Sequence, residues 1–358
     1  MTLHRLMISH FRNITTADLE LHESFNALLG PNGSGKTSLL EAIYLLGHGR
    51  SFRQPLIASI IQHGKPALAL HGRLEQKDAW HKIGLQKSRQ GTTQIRCNGM
   101  DSRSIAEITQ LLPIQLITPE SLLLLTGPAK YRCAFIDWGC FHQNPEFLAV
   151  WNRVRRSLQQ RNALLKSVRH YDAMQIWDQS LAPLAHQISD WRSEYCNGLQ
   201  PYLSAIWAKL LPDYSLSCEF QPGWEAMDYQ QLLFQQFPRD CALSYTRLGP
   251  HRANLSIRTA GQPIEIRLSR GELKLLLYGM RLAQGAFFTQ QTGRHCLYLL
   301  DDFPAELDQQ RRQQLIACLQ EISGQLFASA LDKQHLSDLL DKKGKLFAVK
   351  HGTITLLD

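Results

Sequence analysis

The sequence predicts an α/β fold in which a phosphate-binding head is interrupted by a helical insertion. A glycine-rich loop near residue 30 follows a short apolar run and precedes a helical pattern. A second apolar run near residue 298 ends in two aspartates. Between them, from about residue 128 to about residue 240, aromatic and basic residues recur at helical spacing. The first two features are typical of a buried sheet with a phosphate site at its edge, and the third indicates an insertion.

Length and composition limit the classes of protein that need to be considered. The chain has 358 residues, which suggests two domains. It has no run of about 18 apolar residues, and its N-terminus, Met1–Arg5, is polar, so we expect a cytoplasmic protein without a membrane partner. The eight cysteines form no C-x-x-C pair, which disfavours a zinc ribbon or a disulfide framework. Lysine and arginine number 39 against 31 acidic residues, and this excess favours a polyanionic partner.

The first part of the chain is rich in predicted strands joined by short turns. Turn residues at Ser88–Gly91 and Asn98–Gly99 indicate hairpins. The predicted strands are Leu3–Phe11, Ala17–Leu21, Ala67–Leu74, Ala79–Leu85 and Thr92–Cys97.

The apolar run Phe25–Leu29 leads into a loop with the full pattern G-x-x-x-x-G-K-[ST]. Its glycines let backbone N–H groups turn toward the β- and γ-phosphates, Lys36 adds a positive charge, and the Thr37 hydroxyl can ligate Mg²⁺. The alternative is a glycine-rich turn without a ligand, but the helical spacing of Ser38–Leu46 supports the phosphate loop. The residues predicted to bind ATP here are Gly30, Pro31, Asn32, Gly33, Ser34, Gly35, Lys36, Thr37 and Ser38.

Two apolar stripes predict a pair of long helices in the middle of the chain. The downstream stripe keeps steps of four and three and consists of Trp177, Leu181, Leu184, Ile188, Trp191 and Tyr195. The upstream stripe follows the same alternation, interrupted by Arg161, and consists of Trp151, Val154, Leu158, Leu165 and Val168. Joined near Tyr171–Ala173, the helices could form an antiparallel hairpin, or they could be ordinary amphipathic helices of a bundle.

The same region carries a run of positive charge. Between Phe147 and Tyr171 there is no acidic residue, and the basic residues are Arg153, Arg155, Arg156, Arg161, Lys166 and Arg169. Two interpretations stay open, a contact with a polyanionic partner and a solvated helix face. With duplex DNA as that partner, which the resemblance described below implies, Arg153, Arg155 and Arg156 would be DNA-binding residues.

After about residue 241 the pattern returns to mixed α/β. The sequence predicts a helix from Ser269 to about Gln290 and strands at Leu255–Ile257, Ile264–Leu268, Cys296–Leu300 and Gln325–Ala328. One helical arm domain, 128–240, therefore divides a single head formed by residues 1–127 and 241–358.

Two acids follow the strand Cys296–Leu300 and supply what a phosphate loop needs to hold a metal. Asp301 would hold Mg²⁺, directly or through water, and Asp302 is placed to orient or deprotonate an attacking water. The alternative is a strand that merely ends in a polar turn, and the phosphate loop argues against it. Lys36 and Asp302 are therefore predicted catalytic residues.

Two further segments resemble motifs of ABC-type ATPases. Leu268–Glu272 is similar to their signature motif, and Phe303–Asp308 to the stretch that follows their metal-binding acids. In that superfamily the signature motif binds the γ-phosphate on the opposite subunit, which agrees with the anion affinity of a helix start. The resemblance adds Ser269 to the catalytic residues and implies ATP contacts from Ser269, Arg270, Gly271, Glu272 and Asp308.

The full set of motifs resembles the RecF family of recombination mediators, whose ATPase head is SMC-like. The resemblance covers nearly the whole chain and is carried by the phosphate loop and by Ile8–Ile14, Gly47–Arg53, Leu248–Arg252 and Ser269–Asp308. It implies an ABC/SMC-type ATPase head, with a mixed sheet around the P-loop, an antiparallel β lobe and an inserted helical arm.

The resemblance also implies a function with ATP and Mg²⁺ as cofactors. ATP would close a homodimer on duplex DNA near single-strand gaps, slow hydrolysis would reopen it, and RecO and RecR would help to load RecA. The ATPase activity would be weak and stimulated by DNA.

Individual residues take roles from the same resemblance. Arg12 would contact a nucleotide phosphate, as in SMC heads, although a surface role is the alternative. Arg53 would contact DNA, and Gln115 would help to couple the metal to the arm. Asp302 replaces the usual glutamate, and Ser329 stands where transporters place a switch histidine, so both suggest slow turnover.

Three other classes of protein stay open as alternatives. A transporter motor subunit would need a membrane partner and normally the switch histidine. A nucleotide-dependent nuclease would need a carboxylate cluster besides Asp301 and Asp302. A nucleotide-binding protein without turnover is compatible with the short side chain of Asp302.

Overall fold

The chain folds into two units in a computed structural model that carries all side chains. The structure describes residues 1–77, 79–102, 104–225, 228–303, 307–321, 323–333, 336, 339 and 343–357. The first unit comprises Met1–Ser121 and Tyr278–Asp358, and the second comprises Leu122–Leu277. The predicted arm, 128–240, lies within the second unit, which also includes 241–277. The assignment of a separate arm with these boundaries stays a prediction.

The strands alternate with helices in the order expected of an interrupted α/β head. The strands are β1 (Thr2–Phe11), β2 (Ile14–Glu20), β3 (Phe25–Leu29), β4 (Ala67–Gln76), β5 (Ala79–Ser88), β6 (Thr93–Cys97), β7 (Met100–Ser102), β8 (Ile114–Ile117), β9 (Leu216–Gln221), β10 (Asn254–Thr259), β11 (Gln262–Pro263), β12 (Leu297–Leu300), β13 (Gln325–Ala330), β14 (Gly344–Lys350) and β15 (Thr353–Leu357). The α-helices are α1 (Lys36–His48), α2 (Ile105–Leu111), α3 (Leu123–Thr126), α4 (Ala129–Gln143), α5 (Phe147–Leu164), α6 (Asp172–Leu210), α7 (Tyr229–Leu243), α8 (Ile264–Arg267), α9 (Arg270–Thr292) and α10 (Gln309–Gln320).

The first unit contains two sheets that confirm the predicted mixed and antiparallel lobes. The core sheet has the order β15-β14-β3-β13-β12-β8, in which all neighbours are parallel except the edge pair β15 and β14. The antiparallel lobe has the order β2-β1-β4-β5-β6-β7. β3 is buried along its whole length between β13 and β14, so the loop that follows it starts from a fixed point.

Helix α1 is buried on almost every side because it contacts strands of both sheets. Leu39, Leu40, Ile43 and Leu46 are fully buried in one apolar cluster with residues of β1, β4 and the core sheet. Each such side chain contributes about 1.5–3 kcal/mol to folding. The phosphate loop is therefore held between a buried strand and a buried helix.

Several segments differ from the sequence-based expectation, and the strands β14 and β15 are among those that the sequence analysis did not predict. Ile264–Leu268 alternates like a strand but forms α8, where Leu268 N–H donates to the Ile264 carbonyl at 2.9 Å. Leu216–Gln221 lies in the region predicted to be helical, yet it forms β9 and pairs with β10. The short strand Ile114–Ile117 was not predicted either. β9 and β8 are held by pairing with strands that are distant in the sequence, which local patterns do not reveal.

In the second unit, α5 and α6 pack as an antiparallel hairpin, which is one of the two arrangements that the sequence left open. The Trp151 ring centroid, early in α5, lies 4.6 Å from the guanidinium carbon of Arg192 in the middle of α6, whereas Arg161, late in α5, pairs with Asp178 near the start of α6. These two pairs run in opposite order along the helices. Over the described residues, no helix combines the length and apolar content needed to cross a membrane.

Arg161 interrupts the apolar stripe of α5 because it lies in a buried ionic cluster. Its guanidinium donates to Asp178 Oδ1 at 2.7 Å, to Asp240 Oδ2 at 2.7 Å and to Thr246 Oγ1 at 2.8 Å. Arg161 and Asp178 are 0% exposed. The interpretation of Arg161 as one of six surface charges is therefore wrong, because its charge is neutralised by neighbouring carboxylates.

Replacing Arg161 should strongly destabilise the second unit. Arg161→Met leaves two buried carboxylates without their cation, and we expect a decrease of about 3–5 kcal/mol in the free energy of unfolding. Arg155→Met, on the exposed face of α5, should change it by less than about 0.5 kcal/mol. Urea unfolding followed by tryptophan fluorescence measures both, and equal shifts would contradict the assigned role of the cluster.

A candidate nucleotide-binding site

The phosphate loop has the backbone that its sequence predicts. Gly33 and Gly35 adopt φ values of +77° and +120°, which side chains rarely tolerate. A Cβ at Gly35 would also lie 2.9 Å from Asn13 Nδ2. Ser34 Oγ is buried and has no hydrogen-bond partner among the described residues. A loop of this shape, with a free hydroxyl and the amides of a helix start, fits an anionic phosphate.

Lys36 lies at the first position of α1 and turns its amine over the loop. Nζ donates to the carbonyl oxygens of Gly30 at 2.7 Å and Pro31 at 3.0 Å. Burial lowers the pKa of Lys36, while the carboxylates of Asp302 and Asp301 act in the opposite direction. The two acids therefore help to keep the amine charged beside the loop.

Asp301 directly follows β12, and its side chain is hydrogen-bonded to residues of the phosphate loop and of β13. Thr37 Oγ1 donates to Asp301 Oδ1 at 3.0 Å, and Ser329 Oγ donates to the same oxygen at 2.8 Å. Burial and the neighbouring charge of Asp302 raise the pKa of Asp301, whereas these two hydrogen bonds lower it. A threonine hydroxyl and a carboxylate at one point are the oxygen ligands that Mg²⁺ takes in phosphate-loop proteins.

Asp302 is turned toward solvent by an unusual backbone conformation. Its φ is +53°, and its N–H donates to Ser329 Oγ at 2.8 Å. The next amide, Phe303 N–H, donates to the Ser329 carbonyl at 2.9 Å. Ser329 thus holds both acids, with its hydroxyl donating to one and accepting from the amide of the other.

A cavity of about 390 Å³ opens beside the phosphate loop. Arginine and lysine side chains supply positive charge, and Asp302 supplies negative charge at its wall. This composition fits a triphosphate together with a divalent cation. The lining residues are Arg12, Asn13, Asn32, Gly33, Gly35, Lys36, Thr37, Ser38, Arg53 and Asp302.

Nine of the residues predicted for the site line this cavity, and Gln115 is not among them. Gln115 in β8 pairs with Tyr298 in β12, and Tyr298 precedes Asp301 by three residues. Gln115 is therefore roughly 10 Å from Asp301 along the strand direction. Its fully buried amide donates to Gln284 Oε1 at 3.2 Å. Gln115 therefore does not reach the metal position, and Thr118, after the end of β8, lies nearer that edge.

Arg53 lines the cavity, and its charge lowers the pKa of Asp301. Its position beside the acids was not anticipated, since the sequence suggested a contact with DNA. By contrast, Arg153, Arg155 and Arg156 are exposed on α5 in the second unit.

The signature-like segment begins α9 with a capping box. Ser269 Oγ accepts from Glu272 N–H at 3.4 Å, and Glu272 Oε2 accepts from Ser269 N–H at 2.8 Å and from Ser269 Oγ at 2.7 Å. Ser269 and Arg270 are exposed, and Gly271 is half-buried.

Asp308 accepts from Arg311 N–H at 2.9 Å and caps α10. Pro304, Ala305 and Glu306, which belong to the same motif, lie outside the described residues. Contacts of the signature-like segment and of Asp308 with ATP therefore stay predictions.

Several residues that contribute to the site were not found from the sequence. Asn13 Nδ2 and Gly352 N–H both donate to the Ser34 carbonyl, at 3.1 Å and 2.8 Å, and so fix the loop. Glu41 pairs with Arg12. Asn13 adjoins Arg12 in the sequence, which was the one available signal. Gly352 and Glu41 act through contacts that no local pattern reveals.

Comparisons with known proteins identify the family of this chain. The chain matches the RecF/RecN/SMC N-terminal domain family over residues 2–355. It is 51% identical over 355 residues to the DNA replication and repair protein RecF of Yersinia enterocolitica, covering 99% of this chain and 98% of that protein. It is 50% identical over 357 residues to RecF of Pectobacterium atrosepticum, covering 99% of each chain.

Solved structures show the same fold. The structure of the recombination mediator protein RecF with ATP matches with a TM-score of 0.89 at 24% identity, covering 100% of this chain and 98% of that one. An SMC head bound to the C-winged helix domain of ScpA matches with a TM-score of 0.64 at 16% identity, covering 100% and 97%. The fold is therefore that of an ABC/SMC-type ATPase head, as predicted. Because half of the residues are identical to RecF over nearly the whole length, the chain belongs to the RecF family of DNA replication and repair proteins.

Proposed function

We propose that this protein binds ATP with Mg²⁺ at the phosphate loop and hydrolyses it slowly. The observation that carries the proposal is the convergence of Thr37, Asp301 and Ser329 beside the cavity that Lys36 and Asp302 line. The ATP-bound RecF structure of the same fold supports it.

Each residue of the cluster has a separate task. The loop amides and Lys36 bind and orient the β- and γ-phosphates, and Thr37 with Asp301 would hold Mg²⁺. Bound Mg²⁺ neutralises charge on the phosphate oxygens. No group of three or more His, Cys, Asp or Glu side chains suited to a metal occurs in the described part of the chain. Phosphate oxygens and waters would therefore complete the ligand shell.

Asp302 takes the proton of the attacking water in this proposal. Its carboxylate is exposed at the cavity wall, and its backbone is fixed through Ser329. Aspartate is one methylene shorter than glutamate, so its reach toward the γ-phosphate is smaller. Slow turnover follows from that shorter reach and from a switch position that carries serine.

Replacing Asp302 should separate binding from hydrolysis. Asp302→Asn keeps the shape of the side chain but removes the base, so we expect ATP affinity to persist and hydrolysis to fall about 100-fold or more. Lys36→Ala should instead abolish ATP binding. Equilibrium binding of a fluorescent ATP analogue and a phosphate-release assay measure the two effects. If Asp302→Asn still hydrolysed ATP at the wild-type rate, Asp302 would not be the general base.

The wider function is that of an ATP-dependent DNA-binding protein of recombinational repair in the cytoplasm. We infer that two copies close around ATP on duplex DNA near single-strand gaps, that DNA stimulates the hydrolysis, and that RecO and RecR help to load RecA. The names of the relatives support a role in replication and repair.

The exposed arginines of α5 are proposed to bind DNA phosphates. Replacing Arg153, Arg155 and Arg156 together by alanine should lower the slope of log affinity against log salt by about 0.9 for each phosphate that is no longer neutralised. Replacement of all three by lysine keeps the charge and should keep the slope. Fluorescence anisotropy with gapped duplex between low and moderate salt measures it. An unchanged slope in the alanine variant would assign these residues to a solvated helix face.

Ser269 tests whether ATP is shared between two copies. In a sandwich dimer Ser269 completes the partner's site, so Ser269→Arg should bind ATP normally but fail to dimerise and hydrolyse, because a bulky cation occupies the γ-phosphate position. Ser180→Arg, on the exposed face of α6, is the matched control. Sedimentation with ATP distinguishes the variants. A Ser269→Arg protein that dimerises like wild type would refute the shared site.

No observation favours a second function over this one. The described residues contain no additional carboxylate cluster for a nuclease, and the switch position carries Ser329 where a transporter motor normally carries histidine. An assay for ATP hydrolysis with and without gapped duplex separates turnover from simple nucleotide binding.

A further inference from the structure

Glu41 is a buried carboxylate that connects two arginine-bearing segments of the cavity. It lies in α1, and its side chain is 0% exposed. Arg12 Nε donates to Glu41 Oε2, and Arg12 Nη2 donates to Glu41 Oε1 at 2.7 Å. Ser51 Oγ donates to Oε1 as well. One carboxylate therefore accepts from both the β1–β2 turn and the segment that follows α1.

Ser51 links Glu41 to the backbone of Arg53. Its Oγ accepts from Arg53 N–H at 3.0 Å and from Gln54 N–H at 2.8 Å. The backbone from Ser51 to Gln54 is thereby folded around one hydroxyl, which is itself bound to Glu41. The position of the Arg53 backbone depends on these two successive hydrogen bonds.

Arg12 is held with similar precision. Its φ is +51°, a conformation uncommon for a residue other than glycine, and its N–H donates to the Ile60 carbonyl at 2.8 Å. Its side chain is only 18% exposed. The guanidinium is therefore confined between Glu41 and the cavity that it lines.

We propose that Glu41 is a positioning residue of the nucleotide site, which holds the Arg12 guanidinium toward the phosphates and fixes the backbone that carries Arg53. Glu41 itself does not line the cavity, so it acts through these arginines. The inference rests on the proposed ATP binding. A guanidinium that is already held in place, as that of Arg12 is, binds phosphate oxygens with a smaller decrease in side-chain freedom than a mobile one.

Whether ATP binding becomes weaker or stronger when the Glu41 charge is removed distinguishes a positioning role from simple charge repulsion. A carboxylate near a triphosphate repels it, so removing only that charge would strengthen ATP binding. If Glu41 positions the arginines, removing its charge instead weakens ATP binding, because the bidentate pair with Arg12 and the hydrogen bond from Ser51 are weakened together.

The test is the affinity for a fluorescent ATP analogue in Glu41→Gln, Ser51→Ala and Asp18→Asn. We expect about tenfold weaker binding in Glu41→Gln and a smaller decrease in Ser51→Ala, which keeps the Arg12 pair. Asp18→Asn breaks the exposed ion pair with Arg5 by the same chemical change and should bind like wild type. Equal or tighter binding in Glu41→Gln would overturn the proposal.

A double-mutant cycle separates positioning from a purely structural role. In an Arg12→Ala background, Glu41→Gln should weaken binding much less than in the wild type, because the pair no longer exists. Fully multiplicative effects in variants that remain folded by urea unfolding would overturn the proposal. Ser51→Ala keeps the test decisive if Glu41→Gln does not fold. If the wild-type protein bound the ATP analogue no more tightly than Lys36→Ala, the result would instead refute the proposed function.

Discussion

The hydrogen bonds to the Asp301 carboxylate are the interaction on which the site depends. Oδ1 accepts from Thr37 at the start of α1 and from Ser329 at the end of β13, and the Asp301 amide donates to the Ile117 carbonyl at 2.9 Å. Two motif residues 264 positions apart in the chain are thus held at contact distance. A buried carboxylate without hydrogen-bond donors is costly in free energy. Loss of these hydrogen bonds therefore opposes any shift of the phosphate loop relative to β12.

The residues with local chemical signatures were predictable, and those that act through distant contacts were not. Glycines with positive φ and two acids after an apolar strand need only their own neighbours, so the phosphate loop, Asp301 and Asp302 followed from sequence. The burial of Arg161 depends on Asp178 and Asp240, 17 and 79 positions away. The distance between Gln115 and Asp301 could not be predicted, because it depends on the register between β8 and β12.

Charge is distributed so that the cavity can hold both an anion and a cation. Lys36, Arg12 and Arg53 face it from three segments, while Asp302 lies in its wall and Asp301 just behind Thr37. Acids stabilise two of these cations against desolvation: the aspartates act on Lys36, and Glu41 pairs with Arg12. Lys36 and Arg12 are thereby fixed before a phosphate arrives, which is the arrangement that electrostatic preorganisation requires.

The capping box at Ser269 sets a condition on the proposed dimer. The hydroxyl has one hydrogen, and it is donated to Glu272 Oε2. To donate to a phosphate oxygen of a partner's ATP, the hydroxyl must rotate away from that carboxylate, and the phosphate then meets the negative charge of Glu272 close by. The amides at the start of α9 and the helix dipole oppose this repulsion. Binding in trans is therefore favourable only if the attraction of a phosphate by the α9 amides and the helix dipole exceeds its repulsion by the Glu272 carboxylate.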